Sequence, residues 1–306
     1  MIDLYKRIWD VSWRAQIPLI FLSLAIAALA AFPLQFQKEI IDGLAGSISK
    51  QQLLSLSAQY LFVAVLASGL KFALQYKSST LSESIIRRIR VQICENRKNQ
   101  GSKKTVGDGA LVTMVTSEAE EIGSFAGVAI TSPLVQIATL FSVVGFVVAT
   151  QPNLGMFMVA VILPQALVVA LTQKKINAKI KERVQTLRHT TNRIIEEDLK
   201  KIQKEILEDF DRIYNLRRKI FMFKLSTKFV LNVITGIGTI GILTLGGLMV
   251  LDGETSIGIV VAALSGLTRV TEPWRELISF YRSLSATRIK FDLLVSSLPN
   301  YNKNNA

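Results

Sequence analysis

The chain has 306 residues, half of them hydrophobic, with a mean hydropathy of +0.37 and a formal net charge of +13. Apolar runs that approach or exceed the ~20 residues needed to cross a bilayer recur along it, so the sequence reads as a polytopic helical membrane protein and not as a soluble one. The runs are continuous, without the alternation a spanning β-barrel requires.

The basic balance alone would fit a nucleic-acid binder. Its placement argues against that. Of 36 Lys and Arg, 8 fall in residues 77–118 and 16 in residues 172–228. Such clustering follows the positive-inside rule, which puts both segments in the cytosol and leaves no nucleic-acid partner to expect. One cysteine, Cys94, and one histidine, His189, offer no disulfide framework and no metal cluster.

In chain order, Leu4, Tyr5, Ile8, Trp9 and Trp13 recur at helical spacing with Lys6, Arg7 and Arg14 between them. This reads either as an amphipathic helix on the membrane surface or as the first turns of the first span. Span one covers 17–36 with Pro33 near its far end, and Gly43 is the expected stop. Span two covers 53–76 and runs without a breaker into 78–97. A turn region at 101–109 and a returning helix complete a first arm, 77–124. Span three covers 125–150. Gln151-Pro152-Asn153 is too short to cross anything, so span four, 154–171, forms a tight hairpin with span three. A second arm, 172–228, holds no Pro or Gly and is rich in helix formers. Span five covers 229–251, an outer turn 252–256, and span six 257–284. The domain is expected to occupy 1–298, with a polar tail at 299–306. The fold class is therefore all-α: six transmembrane helices, two long cytosolic helical arms, and both termini cytosolic, as in a bacterial inner membrane protein.

Gly236-x-Gly238-x-x-Gly241 has the outline of a dinucleotide motif, but no strand precedes it and it sits inside a span, where glycines serve close helix packing. No G-x-x-x-x-G-K-[ST] is present, so the chain has no phosphate cradle of its own, and no cofactor or enzymatic activity is expected of it. The notable polar residues lie in span six. Counting 1.5 Å per residue from Ile257, Arg269 is roughly 18 Å deep and Glu272 roughly 22 Å, inside a hydrocarbon layer about 30 Å thick. Charges at that depth face a bundle interior or an aqueous cavity. The pair reads either as the lining of a substrate path or as a local i, i+3 ion pair. Gln136 and Lys71 are further path candidates, although snorkelling explains Lys71 more simply.

These residues carry a resemblance. Six spans, two long arms and two small outer loops resemble the transmembrane domain of ABC exporters. Pro33 followed by Ile40-Ile41-Asp42 is similar to the family's first outer segment. Gly109-Ala110-Leu111-Val112 with Val115-Thr116-Ser117-Glu118 resembles its signature, with Glu in place of Asp. Pro152-x-Leu154, Pro164, Ser256-Ile257-Gly258, Pro273 and Ala286-Thr287-Arg288-Ile289 follow in the family's order.

The resemblance implies a homo- or heterodimer in which the fourth and fifth helices reach across to the partner. It also implies ATP hydrolysis on a nucleotide-binding subunit or domain outside this sequence, and coupling helices near 96–104 and 199–210. The coupling candidates are Asn96, Arg97 and Lys98 in the first arm and Leu199, Lys200 and Ile202 in the second. The second arm is shorter than the family's by about a dozen residues, roughly three helical turns. The leading expectation is a permease subunit working by alternating access. The alternative is a membrane scaffold or regulator derived from a half-transporter.

Overall fold

The computed structural model describes residues 2–99, 108–196 and 199–297. These are helical except at short connections: α1 (Ile2–Leu29), α2 (Phe32–Ala45), α3 (Lys50–Asn99), α4 (Asp108–Thr113), a five-residue π-helix (Met114–Glu118), α5 (Ala119–Val128), α6 (Thr131–Thr150), α7 (Pro152–Glu196), α8 (Leu199–Leu251) and α9 (Ile257–Ser297). The fold is that of an all-α polytopic membrane protein. Five helical stretches, beginning at Leu4, Lys50, Leu111, Pro152 and Lys204, are long and apolar enough to cross a bilayer. The sixth predicted span forms as part of α9, whose apolar run is interrupted by Arg269, Glu272, Arg275 and Glu276.

The amphipathic start is continuous with the first span. One face of α1, Leu4, Ile8, Ser12, Gln16, Leu19, Ser23 and Ile26, is buried along its whole length, so the reading as the first turns of span one holds. Pro33 separates α1 from α2. The second helix then passes Gly43 and ends at Ala45, where the Gly46 N–H bonds to the Asp42 carbonyl.

The third predicted span is not one helix. It breaks between Val128 and Thr131 because Pro133 has no N–H to return to the preceding turn. Side chains donate to the carbonyls at and just before this break. Tyr5 donates to the Ala129 oxygen at 3.4 Å, Gln16 to Ala126 at 3.4 Å, Ser78 to Gly127 at 2.6 Å and Ser82 to Ser124 at 3.3 Å. Buried backbone acceptors are thereby paired by side chains from α1 and α3.

Two apolar cores result. One, on the arm side, joins Leu4 and Ile8 of α1, Ile85, Ile89 and Ile93 of α3, Ile122 and Phe125 of α5, and Leu284 and Leu294 of α9. The other, on the side of the short turns, joins Leu34, Val143, Leu154, Met158, Ile242, Val260 and Leu267. Helix α9 contributes to both, and Pro273 lies between its two contributions. The predicted turn at 101–109 falls largely outside the described residues, as does the tail at 299–306.

Candidate functional site

The second arm is an antiparallel pair made by α7 and α8. Between residues 204 and 230 of α8, every residue is exposed except Ile206, Asp209, Ile213, Leu216, Ile220, Phe223 and Thr227. That is an unbroken alternation of three and four, the 3.5-residue period of a left-handed coiled coil. Gln173, Ile176, Ile180, Arg183, Thr186 and Thr190 of α7 face it. Polar layers fix the register: Thr190 donates to Asp209 at 2.8 Å, Arg193 meets Glu205 at 2.5 Å, and Arg212 meets Glu182 at 3.3 Å. Within the membrane-spanning part, Gln165 donates to Thr235 at 3.3 Å. Gly238 and Gly241 lie close against Val161, Leu267 and Phe157, as the packing reading expects, whereas Gly236 is exposed with nothing within 4 Å of a Cβ there.

Hydrogen bonds from Lys179 and Arg212 hold the Glu182 carboxyl below its ordinary range. A depressed carboxyl stabilises the hairpin above its unfolded pKa, and that contribution is lost as pH falls through the folded value. Amide exchange of the arm, followed through the acid range, should therefore accelerate less in Glu182→Gln than in the parent.

The first arm is built differently. Gly123 and Gly127 of α5 place their backbone directly against Ile86, Ser82 and Ser78 of α3. This small-xxx-small seam welds α3 to α5. The family-like signature Val115-Thr116-Ser117-Glu118 lies on the π-helix, whose wider turn frees backbone carbonyls. Arg90 takes one of them, donating to Val115 at 2.9 Å, while its guanidinium sits 3.6 Å from Glu120. Glu121 pairs with Lys290 of α9.

Beyond this seam, the π-helix, α5 and α9 bound an open cleft of about 670 Å³ lined by Thr116, Ser117, Glu120, Glu121, Ser124, Phe125, Val128 and Ser283. Thr116 and Ser117 belong to the family-like signature, whereas Glu120, Glu121, Ser124, Val128 and Ser283 stand in no motif. The signal that could have found them is the spacing of Ser117, Glu120, Ser124 and Val128, which puts hydroxyls and a carboxylate on one helical face.

Of the predicted path residues, Arg269 and Glu272 both lie exposed on α9. No ion pair joins them among the described residues, so the local-pair reading fails. Thr268, Arg275, Glu276 and Ser279 are exposed on the same helix, while Pro273 is buried behind them. Lys71 is exposed on α3 and Gln136 half-buried on α6. No hydrogen bond among the described residues ties either to Arg269 or Glu272.

The coupling candidates divide. Asn96 is buried and donates to the Gln92 carbonyl at 3.0 Å, whereas Lys98 is exposed. Arg97 is half-buried close to the end of α3. Leu199, Lys200 and Ile202 do not form a separate coupling helix. They open α8 itself, and only residues 197 and 198 separate it from α7. The shortened arm leaves no length for a transverse turn there, which corrects the expectation of one at 199–210. Cys94 is exposed on α3. His189 lies within α7, and its side chain is outside the described set.

A search of curated proteins returns no match. The sequence model of the ABC transporter transmembrane region matches residues 17–274, the greater part of the chain. By that match, and by the helix order that accompanies it, the chain belongs to the ABC transporter transmembrane region family.

Proposed function

We propose that this chain is the permease subunit of an ABC-type exporter. In this reading both arms and both termini are cytosolic, the membrane is a bacterial inner membrane, and the chain acts as a homo- or heterodimer. ATP is hydrolysed on a nucleotide-binding subunit or domain outside the described residues, and the chain itself is not an enzyme.

One observation carries the reading. At the expected membrane depth, α9 presents Arg269 and Glu272 on an exposed face with no ion-pair partner among the described residues, and the α5–α9 cleft adjoins the same helix. Each charge held against hydrocarbon would cost about 3 kcal/mol. An aqueous path removes that cost, and rocking of rigid arms provides the alternation that opens it to either side.

The test uses Ser283→Cys, at the cleft wall, in a Cys94→Ala background. In inside-out vesicles, labelling by a membrane-impermeant maleimide should change several-fold when ATP and the nucleotide-binding partner are supplied. Labelling that is the same with and without ATP would overturn the proposal.

A second reading, a non-transporting scaffold derived from a half-transporter, is favoured by the shortness of the second arm. Crosslinking from Lys204, near the tip of that arm, separates the two. An ATPase captured there supports the permease, whereas capture of intact half-transporters without any ATPase dependence supports the scaffold.

A further inference from the structure

We propose that Arg269 and Glu272 form a charge gate with the same two residues of a second copy of this chain. The inference rests on the proposed dimer and adds a partner to the site described above.

The two residues are three apart on the exposed face of α9, carry opposite charge, and have no hydrogen-bond or ion-pair partner among the described residues. At roughly 18 and 22 Å from the start of the helix, they lie where lipid does not solvate them. In a two-fold dimer whose axis runs along the membrane normal, the two α9 helices run in the same direction at the same height. Arg269 then faces Glu272 of the partner subunit across a vertical offset of about 4.5 Å, and Glu272 faces the partner's Arg269 in the same way. The contact is isologous, so one opposite-charge pair per chain gives two across the axis. A face with a single sign would repel its own copy. This one is self-complementary.

The surroundings suit a contact that opens and closes. Pro273 removes the N–H that would bond the Arg269 carbonyl, so α9 has a weak point in the turn that carries both charges. Above it the helix belongs to one apolar core through Val260, Leu267 and Val270. Below it the helix belongs to the other through Leu284, Phe291 and Leu294. A bend there would shift the two charges, together with the core they are fixed to, relative to the other core. When the halves separate, water solvates the four charges. When they close, the charges solvate one another.

The test reads the distance between the two α9 helices through Ser279→Cys, exposed on the same helix, in a Cys94→Ala background. Oxidative crosslinking of the membrane-embedded full chain should give a self-dimer. Arg269→Glu and Glu272→Arg, each alone, should lower its yield roughly fivefold or more, and the double reversal should restore it, because only the double preserves self-complementarity.

Native mass in detergent serves as the control for folding and association. A dimer whose crosslinking ignores both single reversals, or is not rescued by the double, overturns the gate and leaves the dimer standing. A chain that is monomeric by native mass, or that crosslinks only to a different protein, overturns the gate together with the homodimer on which it rests.

Discussion

Gly127→Leu is expected to dismantle the first arm. A Cβ at Gly127 would lie 2.0 Å from the Ser82 hydroxyl oxygen and 2.6 Å from the Ser78 backbone oxygen. The hydroxyl could rotate away, but the backbone oxygen cannot, so α5 must lift off α3. The lift would also break the Ser78 bond to the Gly127 carbonyl and the Ser82 bond to Ser124. Overpacking against main chain, together with the loss of one buried and one part-buried hydrogen bond, should cost roughly 3 kcal/mol or more. Gly145→Ala is the matching control, since nothing lies within 4 Å of a Cβ there. That substitution should stabilise α6 by up to about 1 kcal/mol through helix propensity. Thermal unfolding of the purified chain in detergent would show the contrast. Equal melting temperatures for the two variants would mean that the α3–α5 seam is not the joint described here.

The second large effect is expected where α2 meets the start of α9. The Asp42 carboxylate accepts from the Ser256 hydroxyl and from the Gly258 N–H, both at 2.8 Å. It therefore caps a 41-residue helix from a segment more than two hundred residues away. Asp42→Ala should cost about 1–2 kcal/mol, the usual value of a lost N-cap. Gly258→Val should cost more, because a Cβ there would lie 2.3 Å from the Lys38 backbone oxygen and 2.6 Å from the carboxylate it must leave room for. Amide exchange over the first turn of α9 distinguishes local from general damage. Asp42→Ala should raise exchange at 257–260 and leave the α7–α8 arm unchanged. Exchange that rises uniformly across the chain would contradict a cap confined to this corner.

Much of this architecture could be read from the chain before its fold was known, and the reasons are physical. Long apolar runs have one solution in a bilayer, and a segment with 16 cations has none inside it. Hence the long helices and the hairpin at Pro152 could be placed from composition and spacing. What escaped depends on partners distant in sequence. Pro133 sits in a run apolar enough to pass as one helix, and Tyr5, Gln16 and Ser78 donate to the carbonyls at and just before the break it causes. Gly123 and Gly127 look unremarkable until Ser78 and Ser82 are set against them.

At the candidate site, Arg269 and Glu272 could be found because charge at membrane depth is conspicuous. Their failure to pair was not predictable, since i, i+3 spacing permits a bond without requiring one. The short second arm was visible as missing length. That the loss removes any transverse helix became clear only from α7 ending at Glu196 and α8 beginning at Leu199.

The 3.5-residue seam of α8 does not stop at the membrane face. After Thr227 the protected positions continue at Leu231, Ile234 and Gly238 and widen to take in Thr235, Thr239, Ile242 and Gly246 as more of the helix is covered. If the bilayer surface lies at the expected boundary near Lys228 and acts as the fulcrum, such a rod extends about 45 Å into water and about 34 Å into lipid, counting residues 199–228 and 229–251. A sideways displacement at its far tip is therefore returned inside the bilayer reduced by only about a quarter, with its direction reversed. Mechanical advantage of that kind depends on stiffness along the whole shaft, so a flexible insertion anywhere between the tip and Lys228 should disconnect push from response even where every span stays folded.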